Sequence, residues 1–210
     1  METQNHLEQP GLFSEIPSRR FRRSRRRLQS RWATCVHEAA HAVIALWFRI
    51  VFAAATIRSS MGGVAGSLIL NHETSVVPDG KSLIEVAAQL AVVMAAGYVA
   101  EKQWGFEPVN HDFVETSDYS AMLKLPGLSE APREKQESYA ATALAAARQL
   151  LDLQPVRSAM LLLACALETR ITLSHAEAAS IAEEIWRREP EVLIPQDPHT
   201  KVGSETEGGE

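Results

Sequence analysis

The chain has 210 residues, 46% of them hydrophobic, with a formal net charge of -5, which supports one sizeable core and leaves little room for a second. Two distant cysteines cannot form the disulfide framework of a small secreted domain, and no basic start followed by an apolar core marks a signal peptide. The apolar stretch 42–57 contains Arg49 and is shorter than the ~20 residues of a spanning helix, so we expect a cytoplasmic protein, with peripheral membrane contact left open.

Residues 1–29 are strongly basic. Eight arginines fall within residues 1–31, and the segment has no sustained apolar period, which is typical of a disordered arm. The run Arg19–Arg27 can attract nucleic acid or an anionic membrane surface by charge alone. No aromatic pattern for base stacking accompanies it, so a solvated arm without such a partner is the simpler interpretation.

The first predicted helix of the core begins with Ser30 as its cap and continues through Trp47. Apolar residues recur at helical spacing along it, and they are dense enough to predict that most of this helix is buried. Alternating and β-branched residues at 55–58 and 64–70, separated by a glycine turn at Gly62 and Gly63, then predict two short strands.

Further helices follow these strands. Ser82 and Glu85 form a predicted capping box at the start of a long helix that stops near Gly105. A polar, acidic loop leads to a short helix at 118–125, an alanine-rich helix at 129–151 and a helix with Pro155 in its first turn. A second capping box opens the last helix. The sequence thus predicts a domain over 30–187 and an acidic, disordered tail over 188–210.

The segment His37-Glu38-Ala39-Ala40-His41 carries the clearest chemistry. Histidines four residues apart lie one turn apart on the same helix face and can share one tetrahedral cation. Zn²⁺ held by two imidazoles and a carboxylate activates a water molecule, and an adjacent glutamate can accept its proton. This pattern predicts a zinc site with Glu38 as general base; the alternative is two structural histidines on a buried helix.

A third ligand is required, and periodicity does not choose among the acidic and histidine side chains that follow. Seven candidates remain open at this point: His72, Glu73, Glu101, His111, Asp112, Glu115 and Asp118.

The sequence around this motif resembles the peptidase domain of FtsH-type ATP-dependent zinc metalloproteases, in which the motif reads His-Glu-Ala-Gly-His-Ala. The similarity extends over roughly residues 30–187 and is carried by five segments, at 33–43, 94–101, 115–118, 146–151 and 161–174. It implies a mainly α, zincin-like FtsH-type peptidase domain with a small β element. It also implies that Asp118 is the third zinc ligand beside His37 and His41.

The resemblance further implies that the glycine-turn strand lines the cleft and pairs with an extended peptide, a recognised mode of binding. The residues concerned are Gly62, Gly63, Val64 and Gly66. A plain structural hairpin is the alternative interpretation of the same strand.

The expected function is therefore that of a zinc metalloendopeptidase acting on peptides or unfolded proteins. No Gly-x4-Gly-Lys-Ser/Thr phosphate loop occurs in these 210 residues, so a separate ATPase or unfoldase is an expected partner, and a homo-oligomer is possible by resemblance. Ala40 replaces the glycine of the family motif, Ala95-Ala96-Gly97 lacks the family's paired glycine and arginine, and the glycine that usually precedes the aspartate segment is missing. These departures motivate a second hypothesis, a degenerate peptidase fold that serves as a binding or regulatory module with a structural zinc. An intramembrane zinc protease is disfavoured, because no spanning segment is expected.

Overall fold

A computed structural model describes the backbone of residues 18–60, 63–70, 82–106 and 112–188, and their side chains except at 18–30, 59–60 and 63–65. Within these ranges the chain is mainly helical with one small sheet, as predicted. The elements are α1 (Ser18–Trp47), β1 (Phe52–Ser60), β2 (Gly63–Leu70), α2 (Leu83–Gln103), α3 (Ser117–Met122), α4 (Arg133–Asp152), α5 (Gln154–Arg170), β3 (Thr172–Ser174) and α6 (His175–Arg188).

Helix α1 starts earlier than predicted, at Ser18 rather than at Ser30. No glycine or proline interrupts the sequence between Ser18 and Trp47, and arginine is a good helix former, so helical structure continues into the basic segment. Residues 18–29 thus belong to the same helix as the His-Glu-x-x-His motif. Residues 1–17, the rest of the predicted arm, lie outside the described ranges, as does the predicted tail beyond Arg188.

A left-handed residue ends α1. Arg49 has a φ of 59°, and the next amide, that of Ile50, donates a hydrogen bond of 2.8 Å to the carbonyl of Ala45. This six-to-one bond is typical of a helix C-terminus closed by a left-handed residue. The chain therefore turns sharply into β1, and α1 packs against both β1 and β2.

The sheet has the strand order β2-β1-β3, with both neighbouring pairs antiparallel. β1 and β2 form the predicted hairpin, in which Ala55 lies opposite Leu68. β3 is a three-residue strand that the sequence did not predict; it places Leu173 on the other side of Ala55. β2 and β3 are the two edge strands, and β2 has no further strand beside it in the described part of the chain.

Helix α2 begins with the predicted capping box. The amide of Glu85 donates to Ser82 Oγ at 3.2 Å, and the amide of Ser82 donates to Glu85 Oε2 at 2.6 Å. α2 runs antiparallel to α1, because His41 contacts Val93 whereas His37, one turn earlier, lies next to Glu101. α1 carries the polar residues of the motif, and α2 packs directly against them.

By length and composition alone α2 would suffice to cross a membrane, but one such helix among the described residues is a weak signal. The expectation of no spanning segment rested on residues 42–57, whereas the more apolar window lies in α2. Half of that window is buried inside the fold, where α2 packs against α1 and α4. α4 and α5 pass the same test only as a pair bent by 89°. A core helix has this composition too, so packing inside the fold accounts for much of the apolarity of α2.

The remaining helices follow the predictions closely. Pro155 lies in the first turn of α5, and Ser174 with Glu177 forms the second predicted capping box, whose bonds are 2.9 and 3.3 Å long. α4 begins at Arg133 rather than at residue 129, because the fixed backbone of Pro132 makes it the cap residue. Cys35 is fully buried, and burial raises its pKa to about 11.

Two neighbouring leucines of α5 allow a test of the core, because one is buried and the other is exposed. Leu163 is fully buried and Leu162 is 46% exposed. We expect Leu163→Ala to lower the free energy of unfolding by about 2–5 kcal/mol, because it leaves a cavity, and Leu162→Ala to change it by about 0.5 kcal/mol or less. Urea unfolding measures both. Equal losses would contradict the packing of α5.

Candidate metal centre

Two histidines of α1 and one aspartate of α3 converge at a single point. His37 Nε2 lies 3.1 Å from Asp118 Oδ2, and His41 Nε2 lies 3.5 Å from the same oxygen. The histidine rings are 4.6 Å apart between centroids and nearly perpendicular, at 77°. One ligand atom from each of the three side chains fits within 4.8 Å of the others.

This spacing agrees with metal coordination. When metal–ligand bonds are about 2.0–2.2 Å long, two ligands of a tetrahedral ion lie about 3.3–3.6 Å apart. The two distances from Asp118 to the imidazoles, 3.1 and 3.5 Å, are close to that range. Two imidazoles and a carboxylate are also common ligands of divalent transition metals. The cluster can therefore hold a metal ion.

Both imidazoles are oriented by groups of α2. His41 Nδ1 donates a hydrogen bond of 2.6 Å to the carbonyl of Val93, which leaves Nε2 free of a proton in the neutral ring. His37 Nδ1 lies 3.2 Å from Glu101 Oε1, within ion-pair distance although not aligned for a hydrogen bond. Such partners fix the ring orientation and raise the basicity of the ligand nitrogen.

Gly97 of α2 makes room for the His37 ring. A Cβ atom at this position would lie 2.5 Å from His37 Nε2 and 2.6 Å from two ring carbons. Ring carbons cannot yield at that distance without displacing the imidazole. The absence of a side chain at Gly97 is thus a condition for the observed position of His37.

Asp118 reaches the cluster because a compact turn holds α3 in place. Phe113, in a 3₁₀ turn before α3, is buried in the core, and its carbonyl accepts a hydrogen bond of 2.7 Å from the Thr116 hydroxyl. The same hydroxyl oxygen accepts the amide of Tyr119 at 3.0 Å and so caps α3. Asp118 stands in the first turn of that helix, opposite α1.

The cluster carries opposite charges in the metal-free protein. Burial disfavours the protonated form of His37, but the Asp118 and Glu101 carboxylates outweigh it and raise the pKa of His37 to about 10. Burial likewise opposes ionisation of Asp118, yet the hydrogen bond from His37 holds its pKa well below the usual range. His37 therefore carries a proton at neutral pH, in an ion pair with Asp118.

Glu38 lies beside the ligands but outside the cluster. It is 4% exposed, and its Oε2 atom has no hydrogen-bond partner among the residues that the structure describes. Burial raises its pKa, although the neighbouring histidines oppose this effect. Glu38 packs tightly against β2: a Cβ atom at Gly66 would lie 2.2 Å from Glu38 Oε1. A buried carboxylate with one unpaired oxygen can accept a proton from a small molecule bound next to it.

A cavity of about 510 Å³ opens in front of these residues. That volume falls in the range of about 300–1,000 Å³ that small-ligand sites usually occupy. Its floor is the metal cluster with Glu38, and its walls come from β2, α2 and α3. A ligand in this cavity can reach the ligand atoms of the cluster and the base together.

Several predicted site residues meet here and others do not. His37, His41, Asp118 and Glu38 lie at the cavity, as does Gly66. Gly63 and Val64 belong to β2, but their side chains lie outside the described part, and Gly62 lies outside it altogether. Among the other third-ligand candidates, Asp112 instead accepts the amide of Val114. Glu115 follows it in the 3₁₀ turn. The described ranges omit His72, Glu73 and His111.

Three contributors to the site were not predicted in their roles. Glu101 is a neighbour of His37 Nδ1 rather than a member of the ligand cluster. The Val93 carbonyl orients His41, and Gly97 accommodates His37. The four-residue steps from 93 to 97 to 101 place all three on one face of α2, a signal that becomes readable only when the partner helix is known.

Comparison with known proteins adds no relative: neither a protein-family model nor a curated protein matches this chain.

Substituting the candidate ligands tests the cluster. With Zn²⁺ as the probe, we expect about one tightly bound ion per chain, and a loss of affinity of at least about 100-fold in Asp118→Asn, because a neutral amide replaces the ligand that bridges both imidazoles. The matched control is Asp112→Asn, whose amide oxygen can still accept the Val114 amide. Competition with a chromophoric chelator measures the affinity. Equal binding by both variants would remove Asp118 from the site.

Metal binding should also depend on pH with a defined sign. Because the pKa of His37 is raised to about 10, metal must displace a proton from His37 throughout the neutral range. We expect the apparent Zn²⁺ affinity to rise about tenfold per pH unit between about pH 7 and about pH 9, with one proton released per ion. Calorimetry in buffers of different ionisation enthalpy counts that proton. An affinity independent of pH would contradict the ion pair.

Proposed function

We propose that this protein is a zinc-dependent metalloendopeptidase with a zincin-like domain similar to the FtsH-type peptidase domain. The observation that carries the proposal is the position of Glu38, buried with an unpaired oxygen next to a His-His-Asp cluster at the floor of an open cavity. Buried polar groups are normally hydrogen-bonded, so an unpaired buried carboxylate beside an accessible cavity is not expected at a purely structural metal site.

Zinc is the metal we assign to the cluster. Two imidazoles with one carboxylate are the kind of three-residue ligand set that catalytic zinc uses, which would leave the ion able to bind a water molecule. When bound, a zinc ion supplies Lewis acidity that polarises a carbonyl oxygen and lowers the pKa of a water molecule to about 7. His37, His41 and Asp118 are the residues that would hold it.

We assign the proton transfers to Glu38. Its carboxylate accepts one proton from the attacking water as the water oxygen forms a bond with the peptide carbonyl carbon. The same proton then passes to the peptide nitrogen as the carbon–nitrogen bond breaks, so one water is consumed and an acid and an amine are released. Burial raises the pKa of Glu38, which favours the protonated carboxyl that must form before the proton is returned.

The β2 strand offers the binding edge. β2 is an edge strand of the sheet, and Gly66 packs directly against Glu38. An extended peptide that pairs with this edge would place its backbone close to the general base, which is a common way of binding unfolded chains. We therefore propose peptides or unfolded protein segments as substrates.

The partners are proposals of the same kind. The FtsH-like motif supports a separate ATPase or unfoldase that supplies substrate, and a homo-oligomer, in a cytoplasmic or membrane-peripheral setting. The run Arg19–Arg27 supports contact with an anionic surface through charge alone.

The decisive test keeps the metal and removes the base. We expect zinc-loaded protein to cleave a fluorescently labelled unfolded protein, and Glu38→Gln to lose about 10²–10⁴-fold in rate while it binds zinc normally, because glutamine cannot accept the proton. Glu130→Gln, at an exposed position, is the control and should keep full activity.

Cleavage by Glu38→Gln at the rate of the unmutated protein would refute Glu38 as the base. If neither protein cleaves although each binds one zinc, the hypothesis of a degenerate module with a structural zinc replaces the peptidase.

A further inference from the structure

Three aromatic rings connect α2 to the segment that carries Asp118. The Tyr98 ring of α2 lies 5.5 Å from the Phe113 ring, and the Phe113 ring lies 5.7 Å from the Tyr119 ring of α3, measured between centroids. The first pair is tilted by 51° and the second is close to perpendicular, at 77°. Aromatic pairs attract each other at centroid separations of about 4.5–7 Å. We call these three residues the aromatic bridge.

The aromatic bridge is anchored in the core. Phe113 and Tyr119 are buried, whereas Tyr98 is partly buried and packs against the same core. Lys102, one turn further along α2, places its Nζ atom 5.5 Å from the centroid of the Tyr98 ring, at cation–π distance. Tyr98 is therefore held by its own helix as well as by Phe113, and it gives Phe113 a fixed surface to pack on.

The other end of the aromatic bridge lies next to a metal ligand. Tyr119 directly follows Asp118 in the first turn of α3, and its amide donates to Thr116 Oγ1 at 3.0 Å. The Thr116 hydroxyl in turn donates to the carbonyl of Phe113 at 2.7 Å. Ring contacts and hydrogen bonds thus join the same short segment, so a shift of Phe113 would carry the start of α3 with it.

Small shifts of α3 matter because Asp118 meets both imidazoles. Its Oδ2 atom lies 3.1 Å from His37 Nε2 and 3.5 Å from His41 Nε2. Both rings are oriented by groups of α2, not of α3. The three ligand atoms therefore meet only while α3 keeps its position relative to α2, and metal–ligand distances tolerate deviations of only about 0.2 Å. The aromatic bridge joins these two helices.

We infer that Tyr98 is a positioning residue for the metal centre: through the rest of the aromatic bridge, its ring holds Asp118 at the distance that an ion shared with the two histidines requires. Tyr98 does not line the cavity, so it acts without touching substrate. The inference rests on the metal centre that the proposed function uses. It adds to that centre a residue that no ligand spacing indicates.

Removal of the ring tests this inference, with a second tyrosine as the matched control. Tyr139 of α4 is also partly buried against the core, but it lines a separate cavity beside α2 and α4. We expect Tyr98→Ala to weaken Zn²⁺ binding by about 10- to 100-fold and Tyr139→Ala to keep the affinity within about threefold, because only the first supports a ligand. Competition with a chromophoric chelator measures both affinities. Equal affinities in the two variants would overturn the inference.

Two milder variants assign the effect to the ring. Tyr98→Phe keeps the ring and should bind Zn²⁺ within about threefold of the unmutated protein. Tyr98→Leu keeps apolar volume without an aromatic face and should bind more weakly than Tyr98→Phe, which preserves the test if Tyr98→Ala fails to fold. Thermal unfolding identifies such a failure. A loss in Tyr98→Phe as large as that in Tyr98→Leu would assign the effect to the hydroxyl group and overturn the role of the ring.

Cobalt provides a readout that a loss of stability alone does not change. Co²⁺ can replace Zn²⁺, and its visible absorption is much stronger in tetrahedral than in octahedral sites, so the spectrum reports the coordination geometry. With the site saturated, we expect a displaced Asp118 to lower the absorption per bound ion in Tyr98→Ala, whereas Tyr139→Ala keeps the spectrum of the unmutated protein. An unchanged spectrum in Tyr98→Ala would contradict the displacement of Asp118.

A metal-free measurement separates this inference from the proposed function. Exchange of the Tyr119 amide hydrogen reports the cap of α3 without metal or substrate, and it should be at least about tenfold faster in Tyr98→Ala than in Tyr139→Ala. Equal exchange rates would overturn the inference. If the exchange and zinc results are as expected but the unmutated protein hydrolyses no peptide, the positioning role of Tyr98 stands and the peptidase proposal fails.

Discussion

The structure of the site depends on the close approach of α1 and α2 at Gly97. The His37 ring occupies the space where a side chain at this position would begin, with 2.5 Å between the ring nitrogen and an added Cβ atom. Glycine in a helix interior costs about 1 kcal/mol relative to alanine. That cost is offset by what the approach permits, because the same face of α2 presents the Val93 carbonyl to His41 and the Glu101 carboxylate to His37.

The close packing of these groups also determines their charges. Carboxylates on two sides of His37 raise its pKa to about 10, so without a metal the ring is a cation that balances Asp118. The ion pair holds the three side chains close together, so a metal ion that bound here would replace the proton rather than assemble the site. Glu38 belongs neither to this ion pair nor to the ligand cluster. Burial raises its pKa, and one of its oxygens is unpaired in the described part of the fold.

Local signals in the sequence account for much of this arrangement, and long-range contacts account for the rest. The four-residue spacing of His37 and His41 and the capping box at Ser82 predict their elements, because both patterns act within one or two helical turns. Asp118 was chosen by family resemblance and not by spacing, since it meets His37 across 81 positions in the chain. β3 was missed because it is short and follows Ile171, whose φ of 69° is rare for a β-branched residue.

The backbone of Ile171 helps the sheet to hold β2 beside Glu38. Its carbonyl accepts the Ile57 amide at 2.8 Å, which ties the start of β3 to β1. β1 in turn pairs with β2 along its whole length and holds Gly66 opposite Ile57. Because Gly66 leaves no space beside Glu38, any shift of β2 would change the surroundings of that carboxylate. Under the proposed function, a peptide paired with the edge of β2 would bind to the strand that confines the Glu38 carboxylate, and substrate binding would then be coupled to the position of that side chain.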